Sequence, residues 1–128
     1  MSVIRIGPGA PWEGIVGYSR VVVRGDAAWV SGTTSVVDGV VAHPGDAAAQ
    51  TRQALATITT ALERAGFTMN DVVRTRIYVT DISQWEEVGR AHGEVFGDVR
   101  PASTMVQVAA LIDSEMLVEI EADAYVGE

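Results

Sequence analysis

The sequence predicts an α+β domain, a two-layer sandwich in which a mixed sheet carries two helices on one face. Two stretches, 46–65 and 83–96, repeat apolar residues three and four apart, which gives each helix one apolar side. Three others, 73–79, 104–109 and 116–125, alternate in side-chain character with a period of two, the signature of strands. Helices with a single apolar side bury it by lying on a sheet.

The elements follow in chain order. Val21-Val22-Val23 and Ala28-Trp29-Val30 flank Arg24-Gly25-Asp26 and form a hairpin with a glycine-containing turn. Arg24-Gly25-Asp26 also spells a cell-adhesion tripeptide, but nothing in the sequence points to secretion. Asp38-Gly39 and Pro44-Gly45 mark turns. Asp46 caps a helix that runs to about Ala65 and buries Thr51, Leu55, Ile58, Leu62 and Ala65. Gly66 stops it. Val73, Ile77 and Val79 then alternate with Arg74, Arg76 and Tyr78, one set facing the core. A capping box at Ser83 and Glu86 opens the second helix, whose apolar stripe is Trp85, Val88, Ala91 or His92, Val95 and Phe96. Gly97 ends it. In the next strand Thr104, Val106 and Val108 alternate with Met105, Gln107 and Ala109. In the last, Met116, Val118, Ile120, Ala122 and Ala124 alternate with Leu117, Glu119, Glu121, Asp123 and Tyr125. The order is three strands, helix, strand, helix, two strands. The sheet face left without helices is expected to carry Arg74, Arg76, Tyr78, Gln107, Glu119, Glu121 and Asp123.

Composition bounds the function. The 128 residues suffice for one domain, spanning 1–128, and 48% of them are hydrophobic, enough for a core. There is no cysteine, so disulfides and thiolate metal sites are excluded. Nine basic residues stand against 17 acidic ones, a net charge of −8. Phosphate backbones and anionic membranes need clustered cations, so no nucleic acid and no membrane is expected as a partner. No apolar run approaches the roughly 20 residues of a membrane span. Met1-Ser2-Val3-Ile4-Arg5 lacks the apolar stretch of a signal peptide, so a cytoplasmic protein is expected.

Few residues suggest chemistry. His43 precedes a Pro-Gly turn and reads as solvated. His92 lies near the buried stripe of the second helix and reads as a core or interface histidine rather than a general base. Two separated histidines do not make a metal site. Gly89 and Gly93, four apart, leave one helical face bare, for close approach of another backbone or for a ligand. Glu119 and Glu121 share one strand face. They suit acid/base work, or an ionic row with Arg74 and Arg76.

Several motifs occur in an order that resembles the Rid (reactive intermediate deaminase, YjgF-type) family across nearly the whole chain. They are Tyr18-Ser19, Ser31-Gly32, Gln50-Thr51-Arg52-Gln53-Ala54-Leu55 with Ala65-Gly66, Asp71-Val72-Val73-Arg74-Thr75, Tyr78-Val79-Thr80-Asp81, Arg100-Pro101-Ala102-Ser103-Thr104 and Val118-Glu119-Ile120-Glu121-Ala122. The resemblance implies a chorismate-mutase-like fold and a homotrimer with small-molecule clefts between subunits. It also implies hydrolysis of reactive enamines and imines to ammonia and a keto acid, without a cofactor. It assigns the handling of water to Glu119 and the lining of the cleft to Tyr18 and Gly32, with Ser103 and Thr104 shaping the pocket.

The chain departs from the family at Ser103. There the deaminases carry an arginine that grips the substrate carboxylate through a bidentate pair, which serine cannot reproduce. Relatives lacking that arginine resemble deaminases of aminomuconate-like substrates. Arg20 is a candidate replacement clamp, in competition with a solvated strand-end arginine. The reading from the resemblance is therefore a cofactor-free enzyme acting on an enamine, imine or related unsaturated metabolite. The alternative is a non-catalytic metabolite-binding or regulatory homotrimer. A third reading, ribonuclease activity as in some relatives, is opposed by the acidic charge.

Overall fold

In the computed structural model, residues 3–7 and 12–127 are described; Met1 and Ser2, which belong to the signal-peptide reading, fall outside them. Among the described residues, eight strands and three α-helices follow one another. They are β1 (Val3–Ile6), α1 (Glu13–Val16), β2 (Val21–Arg24), β3 (Ala27–Thr34), β4 (Val36–Val37), β5 (Val40–Val41), α2 (Ala47–Arg64), β6 (Val72–Val79), α3 (Trp85–Phe96), β7 (Ala102–Gln107) and β8 (Val118–Tyr125).

The alternating strands pair into one mixed sheet in the order β1-β2-β3-β8-β6-β7, with β4 and β5 forming a separate ribbon. β6 and β7 are parallel, because α3 carries the chain back between them, and every other pair is antiparallel. The α+β expectation holds, and the apolar residues of β8 explain it. Val118, Ile120, Ala122 and Ala124 all point to one side and are almost completely buried. From α2 they meet Leu55, Ile58 and Leu62, which are at most 1% exposed. Burying each such side chain stabilises the fold by about 1.5–3 kcal/mol.

α2 forms as its sequence predicts. The Asp46 carboxylate accepts from the Ala49 N–H at 3.0 Å. Gly66 follows the helix with φ of 87°, a conformation that suits glycine. Gln50 is fully buried and staples the helix to the approach of β8. Its amide nitrogen donates to His43 O and Glu115 O at 3.1 and 2.9 Å, and its oxygen accepts from Leu117 N at 2.8 Å.

Four sequence expectations are corrected. Val73 is not a core residue: a register shift between Val72 and Arg74 turns it outward, 49% exposed, and Val72 takes its place inside. The Ser83–Glu86 capping box does not form. A short 3₁₀ turn, Ile82–Gln84, comes first, and Asp81 caps it by accepting from Ser83 N at 3.0 Å. Trp85 and Val95 lie outside the α3 stripe, 58% and 38% exposed, leaving Val88, Ala91 and Phe96 as the buried set. Gln107 pairs in register with the buried Val79 and so leaves the open sheet face, where Thr104 and Val106 stand instead.

Candidate functional site

Register determines what the open face presents. Thr34, Glu119, Tyr78 and Val106 form one cross-strand row, and Glu121, Arg76 and Thr104 form the next. The second row is tied by ionic and polar contacts to its neighbours. Tyr78 Oη donates to Glu121 Oε1 at 2.8 Å, and Arg76 lies 4.0 Å from Glu121 and 3.2 Å from Asp123. Arg74 donates to Thr104 Oγ1 at 2.9 Å. The ionic row expected for Glu121 therefore exists, extended to Asp123.

Glu119 stays out of that row. Its carboxylate lies over the bare Cα of Gly32: a Cβ built there would overlap Glu119 Oε2 and stand 2.9 Å from Glu119 Cδ. No side chain larger than hydrogen fits without moving the carboxylate. Burial raises the Glu119 pKa, the nearby Glu121 charge raises it further, and the Arg20 charge opposes both. A cavity of about 400 Å³ opens beside it, lined among others by Trp12, Tyr18, Ser31, Gly32, Ile112 and Glu121. Burial also raises the Tyr18 pKa, so its phenol stays protonated. Glu119, Tyr18 and Gly32 thus meet at one cavity. Trp12 and Ile112 were missed, because they come from irregular segments with no periodic signal.

Arg20 is neither a solvated strand end nor an open clamp. It is 8% exposed. Its terminal nitrogens donate to Thr33 Oγ1 and Gly32 O, each at 2.9 Å, and its guanidinium carbon sits 5.8 Å from the centre of the Tyr18 ring. β3 shifts register between Val30 and Thr33, and Arg20 grips the chain at that bulge. It supports the wall of the cavity from behind.

Ser103 is not brought to the cavity by its own chain. It pairs in register with Thr75, which is completely buried on the helix-covered face, so Ser103 faces the opposite side of the sheet from Glu119. Thr104 shares Glu119's face but lies two strands away, on edge strand β7. His92 Nε2 lies 2.9 Å from Thr75 Oγ1, its ring is 4.6 Å from that of Phe96, and burial lowers its pKa. His43 is exposed, as expected. A Cβ built at Gly89 or at Gly93 would meet nothing within 4 Å, so among the described residues no backbone closes on that helical face. Among the described residues no group of three His, Asp or Glu could hold a metal, and no helix is long and apolar enough to cross a membrane.

The chain and its fold have close counterparts. Residues 10–126 match the family described as Endoribonuclease L-PSP. A crystal structure from Mycobacterium tuberculosis, a member of the YjgF/YER057c/UK114 family, is 54% identical. It superposes with a TM-score of 0.89 over 98% of this chain and 100% of that one. A Yersinia pestis protein of unknown function from the Rid family gives 32% identity and a TM-score of 0.87 over 98% and 100%. A RutC family protein of Pyrococcus horikoshii is 34% identical over 84% of this chain and 86% of its own length. The chain belongs to the YjgF/Rid family.

Proposed function

We propose that this protein hydrolyses a small enamine, imine or related unsaturated metabolite without a cofactor, in a cleft completed by a neighbouring subunit of a homotrimer. Family membership supports a small-molecule, deaminase-like role. The observation that carries the reading is Glu119, a half-buried carboxylate outside the ion-pair row, pushed toward its neutral form beside a cavity. A carboxylate of raised pKa takes a proton from water as the water oxygen adds to a C=N carbon and passes it to the nitrogen; it then moves the hydroxyl proton of the adduct to nitrogen as the C–N bond breaks. The products are a carbonyl compound and ammonia. Tyr18 offers a hydroxyl donor, and the bare Gly32 makes room for the carboxylate at the edge of the cavity.

The neighbouring subunit enters because β7, carrying Ser103 and Thr104, is a sheet edge facing away from the Glu119 cavity. The open face is bulky and half polar, with Trp29 and Val106 more than 40% exposed, and a closed ring of subunits would cover it. A stable monomer by light scattering at micromolar concentration would contradict the trimer. We also place the protein in the cytoplasm.

Ammonia release from a panel of amino-acid-derived imines and enamines tests the reaction. Glu119→Gln is expected to lower turnover by roughly 10²-fold or more, while Glu121→Gln, whose amide oxygen still accepts from Tyr78, leaves turnover nearly unchanged. Equal, small effects of the two on ligand binding and turnover favour the second reading, a metabolite-binding homotrimer. The observation behind that reading is Ser103, where a carboxylate-gripping arginine is missing.

A further inference from the structure

The Glu119 cavity continues past the reacting end. Trp12 and Ile112, which line it, also line a neighbouring cavity of about 280 Å³. One wall of the second cavity is the β4–β5 ribbon, which stands apart from the main sheet and contributes Val36, Val40 and Val41. The other wall is the segment before β8, with Ile112, Asp113, Glu115 and the buried Met116. Both walls are fixed. Asp38 and Gly39 take φ of 52° and 79°, the pair of positive angles that suits a two-residue hairpin turn, and Ser35 Oγ closes the base of the ribbon by donating to Ala42 O at 2.9 Å. In the other wall the Asp113 carboxylate accepts from Glu115 N at 2.8 Å. The buried Gln50 then joins the two, because its amide nitrogen donates both to His43 O, two residues after β5, and to Glu115 O. A cleft whose sides hang from one buried amide is preformed, as small-molecule sites usually are.

The chemistry of this extension is one-sided. Val40 is 68% exposed and Ile112 66%, so apolar surface stands in water on both walls. The charged residues of the lining, Asp113 and Glu115, are both acidic, and among the described residues that line it none is basic. We propose that the extension is the specificity pocket of this protein, receiving an uncharged apolar arm of the substrate while the reacting carbon lies at Glu119. The proposal rests on the hydrolytic reading above and names the substrate of that same site: an imine or enamine with a hydrocarbon side chain of several carbons.

Trp12 and Ile112, common to both cavities, flank the arm where it leaves the reacting carbon, and Val40 and Met116 receive its end. Each methylene that leaves water on entering the pocket raises affinity by about fourfold. A side chain that ends in a carboxylate is refused, because it would lose its hydration beside the Asp113 and Glu115 charges. The pocket therefore selects by length and by charge at the far end of the substrate, and Glu119 acts at the near end.

The experiment measures kcat/KM for imines generated in place from alanine, norvaline and norleucine, and calorimetric Kd for the matching products, pyruvate, 2-oxopentanoate and 2-oxohexanoate. 2-Oxoadipate supplies the longest chain with an anionic end. In wild type both quantities are expected to improve by about fourfold for each added methylene. 2-Oxoadipate is expected to bind about tenfold more weakly than 2-oxohexanoate. Val40→Asp changes an exposed residue of the ribbon and is expected to flatten the dependence on length, while Val40→Leu keeps it. A flat series in wild type, an unchanged slope in Val40→Asp, or equal binding of 2-oxoadipate and 2-oxohexanoate would each overturn the proposal. If Val40→Asp instead alters the oligomeric state by light scattering and leaves the slope intact, the ribbon is a contact between copies and the proposal falls. A wild type that turns over no imine, yet binds the 2-oxo acids by length and loses that dependence in Val40→Asp, sinks the hydrolytic reading and supports the pocket. Turnover without any dependence on length does the reverse.

Discussion

At the residue scale, Gly32 and Glu119 are two halves of one feature. The carboxylate occupies the space a side chain at position 32 would need. Gly32→Ala is therefore expected to displace Glu119, whose carboxylate ends a flexible side chain, at little cost in stability. Thermal unfolding measures the second effect, and loss of small-carboxylic-acid binding by calorimetry measures the first. Glu119 also predicts a pH dependence. Its folded pKa lies above that of the unfolded chain, so the folded state holds the proton more tightly. Keeping it ionised opposes folding above the folded pKa, and that opposition fades as pH falls through the folded pKa toward the ordinary glutamate value. Glu119→Gln should thus be more stable than wild type at neutral pH, with the advantage gone below about pH 4. An advantage that grew toward acid pH would contradict the assignment. His92 acts in the opposite sense: its lowered pKa means that acid, below its ordinary range, weakens the fold.

At the scale of elements, the two bulges do most to shape the site. The shift in β3 between Val30 and Thr33 presents Gly32 to Glu119, and Arg20 ties the chain down there. The shift in β6 at Val73 lets Val72 and Thr75 both face inward, although they are three residues apart. α2 supplies the platform behind the sheet, and its start depends on one capping bond. Asp46→Ala is expected to lower stability by about 1 kcal/mol, read from chemical denaturation, and to leave ligand binding unchanged. The ion pair between Arg52 and Glu94 joins α2 to α3, but both side chains are more than half exposed. Pairs of that kind contribute little, so its removal should pass almost unnoticed.

At the scale of the molecule, charge and shape argue in the same direction. The family description names an endoribonuclease, whereas a net charge of −8 repels the phosphate backbone. We expect no RNA cleavage beyond background in a clean preparation. Salt-sensitive cleavage that eluted with the protein and vanished in Glu119→Ala would show otherwise. The proposed trimer would unite what the single chain keeps apart: Glu119 and Ser103 face opposite sides of one sheet, and only a second copy can set one chain's edge strand against another's cavity.

How far the chain could be read before folding depends on the range of the interactions involved. The long helix, its cap at Asp46, the stop at Gly66 and the alternation in β8 all arise between residues a few positions apart, so their spacing discloses them. Glu119, Tyr18 and Gly32 were legible through short motifs, each local in itself. What spacing could not disclose is register. A shift of one position exchanges the faces of a strand, as Val73 shows. The edge placement of β7, the turn of Ser103 toward Thr75 and His92, and the entry of Trp12 and Ile112 into the cavity all depend on contacts between distant segments. Arg20 shows the same division most clearly. Its sequence position suggested solvent or substrate, and only the packed sheet, which surrounds its charge with Gly32 O, Thr33 Oγ1 and the Tyr18 ring, made it an internal support.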